Sequence, residues 1–108
     1  MKFTLENAKK FGWEGVKGFE YSNVDNFKNV SIAYAEIRGR HGKIKNIKSD
    51  RVYIVFDGEG EFIVNEEIIS VQKMDAIIVP KNTPYDYHGN MKIFLMDLPA
   101  FAEGNDIK

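Results

Sequence analysis

Few side chains in this chain can transfer a proton at neutral pH or bind a transition metal. It contains two histidines, His41 and His88, and no cysteine, so a thiolate nucleophile, a thiolate metal ligand and a disulfide are all excluded. Histidine is suited to acid–base chemistry and to metal binding because its usual pKa lies close to neutral pH. Glu36, His41 and His88 could together build a new site. The alternative is that both histidines are plain surface residues.

The most unusual local composition is a basic run, Arg38 to Lys48. It holds five lysines and arginines together with His41, and no acidic residue. Acidic residues follow around the turns further along: Asp57, Glu59, Glu61, Glu66 and Glu67. A run of like charges is usually a solvated face, and the alternative is a rim that attracts anions.

The overall composition is that of an ordinary globular protein. The chain has 108 residues, of which 44% are hydrophobic and 29% charged, and its net charge is −1. This length predicts one domain, 1–108, and the charge gives no general basic field for nucleic acid. No apolar run is long enough to span a bilayer, and no apolar signal segment follows Met1. We therefore expect a cytoplasmic protein without a nucleic-acid or membrane partner.

The stretch Gly39 to Asn90 reads as short apolar strands separated by turns. Its central part, Arg51 to Val64, is rich in β-forming residues that are interrupted by Asp57-Gly58-Glu59-Gly60, which predicts a hairpin turn. A second hairpin turn is predicted at Gly89-Asn90. Strands are also predicted at Val30–Arg38, Ile68–Val71, Ala76–Val79 and Met91–Leu98, with either face of the first able to point inward. Since no amphipathic helix is evident, the pattern favours an all-β sandwich or barrel.

The two ends of the chain give weaker signals. Residues 1–29 are interpreted as an N-terminal strand and packing segment, with a short edge strand around Phe3 and Leu5 and an irregular segment after Trp13. A lone tryptophan near a terminus could cover a binding site, but it more often plugs a barrel end or a dimer contact. Residues 102–108 are polar and are expected to fray.

Residues 39–90 resemble the core motifs of the cupin superfamily, the small double-stranded β-helix or jelly-roll barrels. The first motif of that family, G-x5-H-x-H-x3-E-x6-G, aligns with Gly39, Lys45, Ile47, Arg51 and Gly58. The second, G-x5-P-x-G-x2-H-x3-N, aligns with Met74, Pro80, Asn82, Tyr85 and Gly89. The segments DGEGEF and DAIIVPKNTP read like the family's hairpin and its second-motif strand. The resemblance implies a cupin barrel.

The residues at the four metal-ligand positions of these motifs are unsuitable for a metal. Where metal-binding cupins carry three histidines and a carboxylate, this chain has Lys45, Ile47, Arg51 and Tyr85. Lysine and arginine offer no lone pair at neutral pH, isoleucine has no donor atom, and tyrosine could ligate only after losing a proton near pKa 10. We therefore expect no metal and no other cofactor.

The same alignment implies a different interior. With Arg51 and Tyr85 pointing inward, the two-residue period of a strand brings Tyr53 and Tyr87 inward too. With Lys45 on a neighbouring strand, these residues would form a pocket for a small anionic or sugar-like metabolite, because guanidinium groups bind carboxylate and phosphate and phenols stack and hydrogen-bond.

An alternative interpretation of Arg51 is that it forms a buried ion pair. Its partner would be Glu36 or Asp97, and the tyrosines would then fill the barrel, since a buried charge needs a counter-charge. Glu36 accordingly joins the predicted ligand-binding set, either as a ligand contact or as the partner of Arg51.

Three functions remain open. The chain could bind a small molecule without metal. It could be a metal-independent isomerase or epimerase, in which Tyr85 or Tyr87 is the acid–base group and Lys45 or Arg51 lowers its pKa. It could also be a scaffold with a filled barrel. Fold alone does not decide between these functions.

The outer face of the central strand predicts self-association. Val52, Ile54, Phe56 and Ile63 are too apolar for a sheet that faces water, so we expect a homodimer that buries them.

Overall fold

A computed structural model describes residues 1–108, and in it the chain folds into nine β-strands without a helix. The strands are β1 (Lys9–Trp13), β2 (Val16–Glu20), β3 (Ser31–Arg40), β4 (Ile44–Asn46), β5 (Asp50–Val64), β6 (Glu67–Gln72), β7 (Ala76–Val79), β8 (Pro84–Leu98) and β9 (Asp106–Ile107). No helix that is long and apolar enough to cross a membrane is present.

The strands form one curled antiparallel sheet in which the two long strands, β5 and β8, pair along almost their whole length. β5 pairs with β7 through its first half and with β6 through its second half. β8 pairs with β3 and, near its start, with β4, which in turn pairs with β9. The fold is the predicted all-β cupin barrel.

The two hairpin turns predicted at Asp57–Gly60 and Gly89–Asn90 are wrong, because both segments lie inside long strands. Gly60 pairs with Gly89, and the backbones approach so closely that a Cβ on Gly89 would lie 2.5 Å from the carbonyl oxygen of Glu59. The glycines therefore permit close strand contact. A β-bulge between Val55 and Asp57 lies nearby, and such bulges bend a strand.

The alternation of side chains along β5 is as predicted. Arg51, Tyr53 and Val55 are buried inside the barrel, whereas Val52, Ile54 and Phe56 face outward. In β3, which the sequence left open, the inward residues include Ala35 and Ile37. The buried apolar cluster comprises Val16, Ala35, Ile37, Ile44, Tyr53, Val55, Phe62, Val71, Val79, Tyr85, Tyr87, Met91 and Ile93.

Both ends of the chain differ from expectation. Phe3 and Leu5 lie in no strand, and the predicted irregular segment after Trp13 is instead the turn and second strand of the β1–β2 hairpin. The C-terminal segment that was expected to fray forms β9, preceded by the buried Asn105, whose side chain donates to Ser49 Oγ. These polar contacts attach the tail to the barrel.

Candidate functional site

A cavity of about 300 Å³ lies inside the barrel beneath the β1–β2 hairpin. The scaffold interpretation required a filled barrel, and the barrel is not filled. Its outer part is lined by apolar and aromatic side chains such as Phe11, Trp13 and Phe101, and its inner part by polar ones. A volume of this size suits a small metabolite.

Arg51 lies at the inner end of the cavity as half of a buried ion pair. Its Nε donates to Asp97 Oδ1 at 2.5 Å and its Nη2 to Asp97 Oδ2 at 2.7 Å, and both side chains are almost completely buried. Burial alone would lower the pKa of Arg51, but the hydrogen bonds and charge of Asp97 outweigh it and raise that pKa, so the guanidinium is charged. Of the two interpretations of Arg51, the buried ion pair with Asp97 is the one found. The interpretation of Arg51 as an unpaired guanidinium that binds an anionic ligand is wrong.

A second carboxylate, Asp106 on β9, approaches the same guanidinium. Its Oδ2 accepts a hydrogen bond from Arg51 Nη2 at 3.3 Å, and its Oδ1 lies 3.1 Å from Nη1. Burial raises the pKa of Asp106, although the charge of Arg51 opposes this. Sequence reasoning missed this residue because it lies in a short polar tail without any motif.

Three tyrosines surround Arg51. Tyr85 accepts a hydrogen bond from Arg51 Nη1 at 2.9 Å, and its hydroxyl oxygen lies 2.6 Å from that of Tyr53. Arg51, Tyr53 and Tyr87 line the cavity, whereas Tyr85 does not. Tyr85 thus links two residues of the cavity wall, Arg51 and Tyr53, by hydrogen bonds.

The tyrosine hydroxyls are protonated in this site. Burial raises the pKa of Tyr53, Tyr85 and Tyr87 well above the usual value, and the nearby charge of Arg51 only partly offsets this. The predicted lowering of a tyrosine pKa by a neighbouring cation is therefore wrong, because the desolvation of a phenolate is the larger effect. These tyrosines can donate hydrogen bonds but are unsuitable as bases.

His41 supplies the basic group that the tyrosines do not. It follows β3, lines the cavity and stacks on Tyr87 with ring centroids 4.4 Å apart. Its Nδ1 lies 2.8 Å from the carbonyl oxygen of Gly42. Because a carbonyl can only accept, Nδ1 carries the proton and Nε2 keeps a lone pair in the neutral ring. Burial lowers the pKa of His41, so the ring is neutral at pH 7.

Trp13 covers this histidine at the cavity mouth. The tryptophan Nε1 donates to the carbonyl oxygen of His41 at 2.9 Å, and the two rings meet edge to face at 5.2 Å. The side chain is 50% exposed and also lines the cavity. This position fits a tryptophan that covers a binding site. The sequence had favoured the alternative, a tryptophan that plugs a barrel end or a dimer contact.

Other predicted site residues lie outside the cavity. Lys45 does not line it and pairs through its backbone with Ile107 of β9. Glu36 faces outward, where it accepts a hydrogen bond from Tyr34. His88 also faces outward, as its odd spacing from Tyr85 predicted, and forms a surface contact with Glu61. The site imagined from Glu36, His41 and His88 is therefore wrong, because the barrel wall separates them.

The cavity does not fit a metal ion. No group of three or more histidine, cysteine, aspartate or glutamate side chains is placed to hold one. Arg51, at one of the family's metal-ligand positions, is a cation in an ion pair with Asp97, and a metal needs neutral or anionic ligands.

The fold and the cavity define a cupin barrel with an internal cavity. Pac13, described as a nucleoside dehydratase, has a solved structure that is 30% identical with a TM-score of 0.90, covering 99% of this chain and 88% of Pac13. This chain belongs to the cupin superfamily. Three variants of the Streptomyces protein, one changed at a histidine and two at tyrosines, have structures with uridine.

More distant solved structures share the fold. A protein from Planctomyces limnophilus is 16% identical with a TM-score of 0.89, over 100% of this chain and 96% of that one. KdgF from Halomonas sp. is 13% identical with a TM-score of 0.79, over 94% of each chain. No family model and no curated protein matches the sequence.

Proposed function

We propose that this chain binds a nucleoside of the uridine type in its cavity and acts on it as a metal-free acid–base enzyme that eliminates water. The observation that carries the proposal is the meeting of His41, Tyr53 and Tyr87 on one cavity wall. These are the side-chain types altered in the uridine-bound variants of the neighbour.

The spacing of these residues supports the comparison. In the neighbour, the altered histidine precedes the first altered tyrosine by 13 residues, and the two tyrosines are 34 residues apart. Here, His41 precedes Tyr53 by 12 residues, and Tyr53 and Tyr87 are also 34 apart. A one-residue difference is easily absorbed in the segments that join β3 to β4 and β4 to β5, and this supports a correspondence of the three positions.

The protonation states suit an elimination. His41 Nε2 would remove a proton from a C–H next to a carbonyl of the substrate, and the electron pair would move onto the carbonyl oxygen. Tyr53 or Tyr87 would stabilise that oxygen by donating a hydrogen bond. The pair would then return to form a C=C bond and expel hydroxide, which takes the proton from His41 and leaves as water.

Calorimetric titration with uridine tests the binding half of the proposal. We expect wild-type protein treated with a chelator to bind uridine, because no metal takes part. We expect Tyr53→Phe to weaken binding roughly tenfold, as loss of one buried hydrogen bond predicts. Tyr34→Phe is the matched control, since Tyr34 lies on the outer face, and it should bind as the wild type does.

Mass spectrometry tests the chemical half. Nucleosides whose sugar carries a carbonyl, a C–H beside it and a hydroxyl on the next carbon should lose that hydroxyl as one water in the presence of the protein. His41→Gln should abolish this loss while retaining uridine binding within a few-fold. Wild-type protein that binds no nucleoside, or a His41→Gln variant that still turns over at the wild-type rate, would contradict the proposal.

We also propose that the chain forms a homodimer through the outer sheet face. Cross-strand pairing brings Ile32, Met96, Val52 and Ile78 into one row on that face. Ile78 is 67% and Phe56 52% exposed, and such a continuous apolar row is unusual on a monomer. Light scattering after size exclusion should give a dimer at micromolar concentration, and Ile78→Lys should give a monomer. A monomeric wild type would contradict this proposal.

A further inference from the structure

The carboxylate of Asp106 has one oxygen without an aligned hydrogen-bond donor. Oδ2 accepts from Arg51 Nη2 at 3.3 Å. Oδ1 is shielded from solvent and lies 3.1 Å from Arg51 Nη1, but no donor points at it. Asp106 lines the cavity, and its side chain is 28% exposed. A buried acceptor without a donor is unfavourable, so the carboxylate of Asp106 is incompletely satisfied, and a ligand in the cavity can donate to this partly exposed group.

Arg51 has one N–H left for a ligand. Of its five N–H groups, one on Nε and one on Nη2 are bonded to Asp97, the second on Nη2 reaches Asp106, and one on Nη1 is bonded to Tyr85. Two carboxylates thus surround one guanidinium at the inner end of the cavity. A phosphate or carboxylate placed there would find one free N–H, on Nη1, and would meet excess negative charge.

We propose that Asp106 is a specificity-determining residue that accepts a hydrogen bond from a sugar hydroxyl of the ligand. With Asp97, it also keeps anionic groups away from the inner end. The site would then select an uncharged nucleoside over its nucleotide. This inference rests on the proposed function, and of the anionic and sugar-like ligands that the sequence suggested it favours the sugar-like one.

The geometry assigns the sugar to the inner end and the base to the aromatic outer part. Carboxylates are good acceptors for ribose hydroxyls, whereas Phe11 and Trp13 offer ring surfaces on which a base can stack. β9 delivers Asp106 to this position by pairing with β4, with Asn46 opposite Asp106. The C-terminal segment is therefore part of the ligand site as well as of the barrel wall.

Calorimetric titrations with four ligands test the inference: uridine, 2′-deoxyuridine, 3′-deoxyuridine and uridine 5′-monophosphate. The variants are Asp106→Asn and Asp106→Ala. Glu103→Gln is the matched control, because it removes one negative charge from an exposed side chain in the same C-terminal segment. Thermal unfolding of each variant checks that the fold is retained.

For wild-type protein we expect uridine to bind at least tenfold more tightly than its monophosphate. We also expect it to bind about tenfold more tightly than the deoxynucleoside lacking the hydroxyl that Asp106 holds, as a hydrogen bond to a charged group predicts. Asp106→Ala should lose both preferences, and removing the hydroxyl should then have no further effect. Asp106→Asn should lose the preference against the monophosphate and keep part of the hydroxyl preference, because its amide oxygen still accepts a hydrogen bond. Glu103→Gln should keep both preferences.

Two different failures can be told apart. If wild-type protein binds uridine and the Asp106 variants bind all four ligands with wild-type preferences, the role of Asp106 is wrong and the proposed function stands. If wild-type protein binds none of the four ligands, the proposed function fails and the inference fails with it.

Discussion

The hydroxyl oxygens of Tyr53 and Tyr85 lie 2.6 Å apart, and only Tyr53 reaches the cavity. Tyr85 occupies a position where metal-binding cupins have a histidine ligand, yet here it bonds to Arg51. With Arg51 donating to it, Tyr85 can donate its own proton to Tyr53, whose O–H can then donate to Tyr87 or to a ligand. Arg51 and Tyr85 would thus position and polarise Tyr53, so that a former metal site supports a hydrogen-bond donor.

Tyr85→Phe tests this chain of hydrogen bonds. The variant should reduce kcat for the loss of water about tenfold with little change in KM, because Tyr85 does not contact the ligand and acts through Tyr53. It should also lower the free energy of unfolding by about 1–3 kcal/mol, since Tyr53 and Arg51 each lose a buried partner. A larger effect on KM than on kcat would show that Tyr85 contacts the substrate directly.

The pH dependence of turnover should follow His41. Burial lowers its pKa, the charge of Arg51 acts in the same direction, and Asp86 and Asp106 oppose them. The neutral base should therefore persist below the usual value of about 6.5, and kcat should fall only as the pH drops through the lowered pKa. A profile of kcat between pH 4 and 8 checks this, and a decline that begins above pH 7 would contradict it.

The free energy of unfolding should also depend on pH through the lowered pKa of His41. A histidine with a lowered pKa in the folded state binds its proton more readily when unfolded, so its protonation destabilises the fold. The effect is absent above about pH 6.5 and complete below the lowered pKa of the folded state. As the pH falls from about 6.5 through the lowered pKa, the free energy of unfolding of the wild type, measured by urea unfolding, should decrease relative to that of His41→Gln. A constant difference would contradict the burial of a neutral ring.

Asp97→Asn should be strongly destabilising. Asp97 is the main partner of the buried guanidinium, and leaving Arg51 with Asp106 alone should lower the free energy of unfolding by about 3 kcal/mol. Adding Arg51→Met to this variant should recover part of the loss, because the uncompensated charge is removed. Glu59→Gln, on the exposed surface of β5, is the control and should change stability by less than about 0.5 kcal/mol. If the double variant is less stable than Asp97→Asn, the explanation by buried charge is wrong.

The close approach of the paired strands β5 and β8 should depend on Gly89. Its φ is +153°, and an added Cβ would meet the backbone of Glu59 and Gly60. Gly89→Ala should therefore lower the free energy of unfolding by more than about 2 kcal/mol. Gly42→Ala separates the two causes, because its φ of +105° is strained but its Cβ would meet no atom within 4 Å, so about 1 kcal/mol is expected. Equal losses would show that close strand contact is unimportant.

Local alternation predicted which side chains of β5 share a face, and the resemblance to cupins implied that the face with Arg51 points into a barrel. Arg51, Tyr53 and Val55 must share a face wherever the strand is regular. The glycines were misread because the same residue serves a tight turn and a close approach between strands. Only the long-range pairing of Gly60 with Gly89 separates these roles, and it is not visible in local sequence.

The site was predictable only in part for a similar reason. The tyrosines and Arg51 lie on strands, where the two-residue period determines which side chains share a face. Their meeting inside the barrel could therefore be inferred once the resemblance to cupins implied which face points inward. His41 and Asp106 reach the cavity from a loop and from the end of the chain, where no periodicity applies. The partner of Arg51 remained a choice between Glu36 and Asp97, which the register of β3, β5 and β8 decides.

A crystal structure of the metal-depleted protein soaked with uridine decides whether the cavity binds a nucleoside without metal. Density for uridine is expected inside the barrel, with an oxygen of the ligand within hydrogen-bond distance of Tyr53 or Tyr87 and His41 Nε2 facing the sugar. A metal ion bound at Arg51 or Tyr85, or uridine bound only outside the barrel, would contradict this expectation.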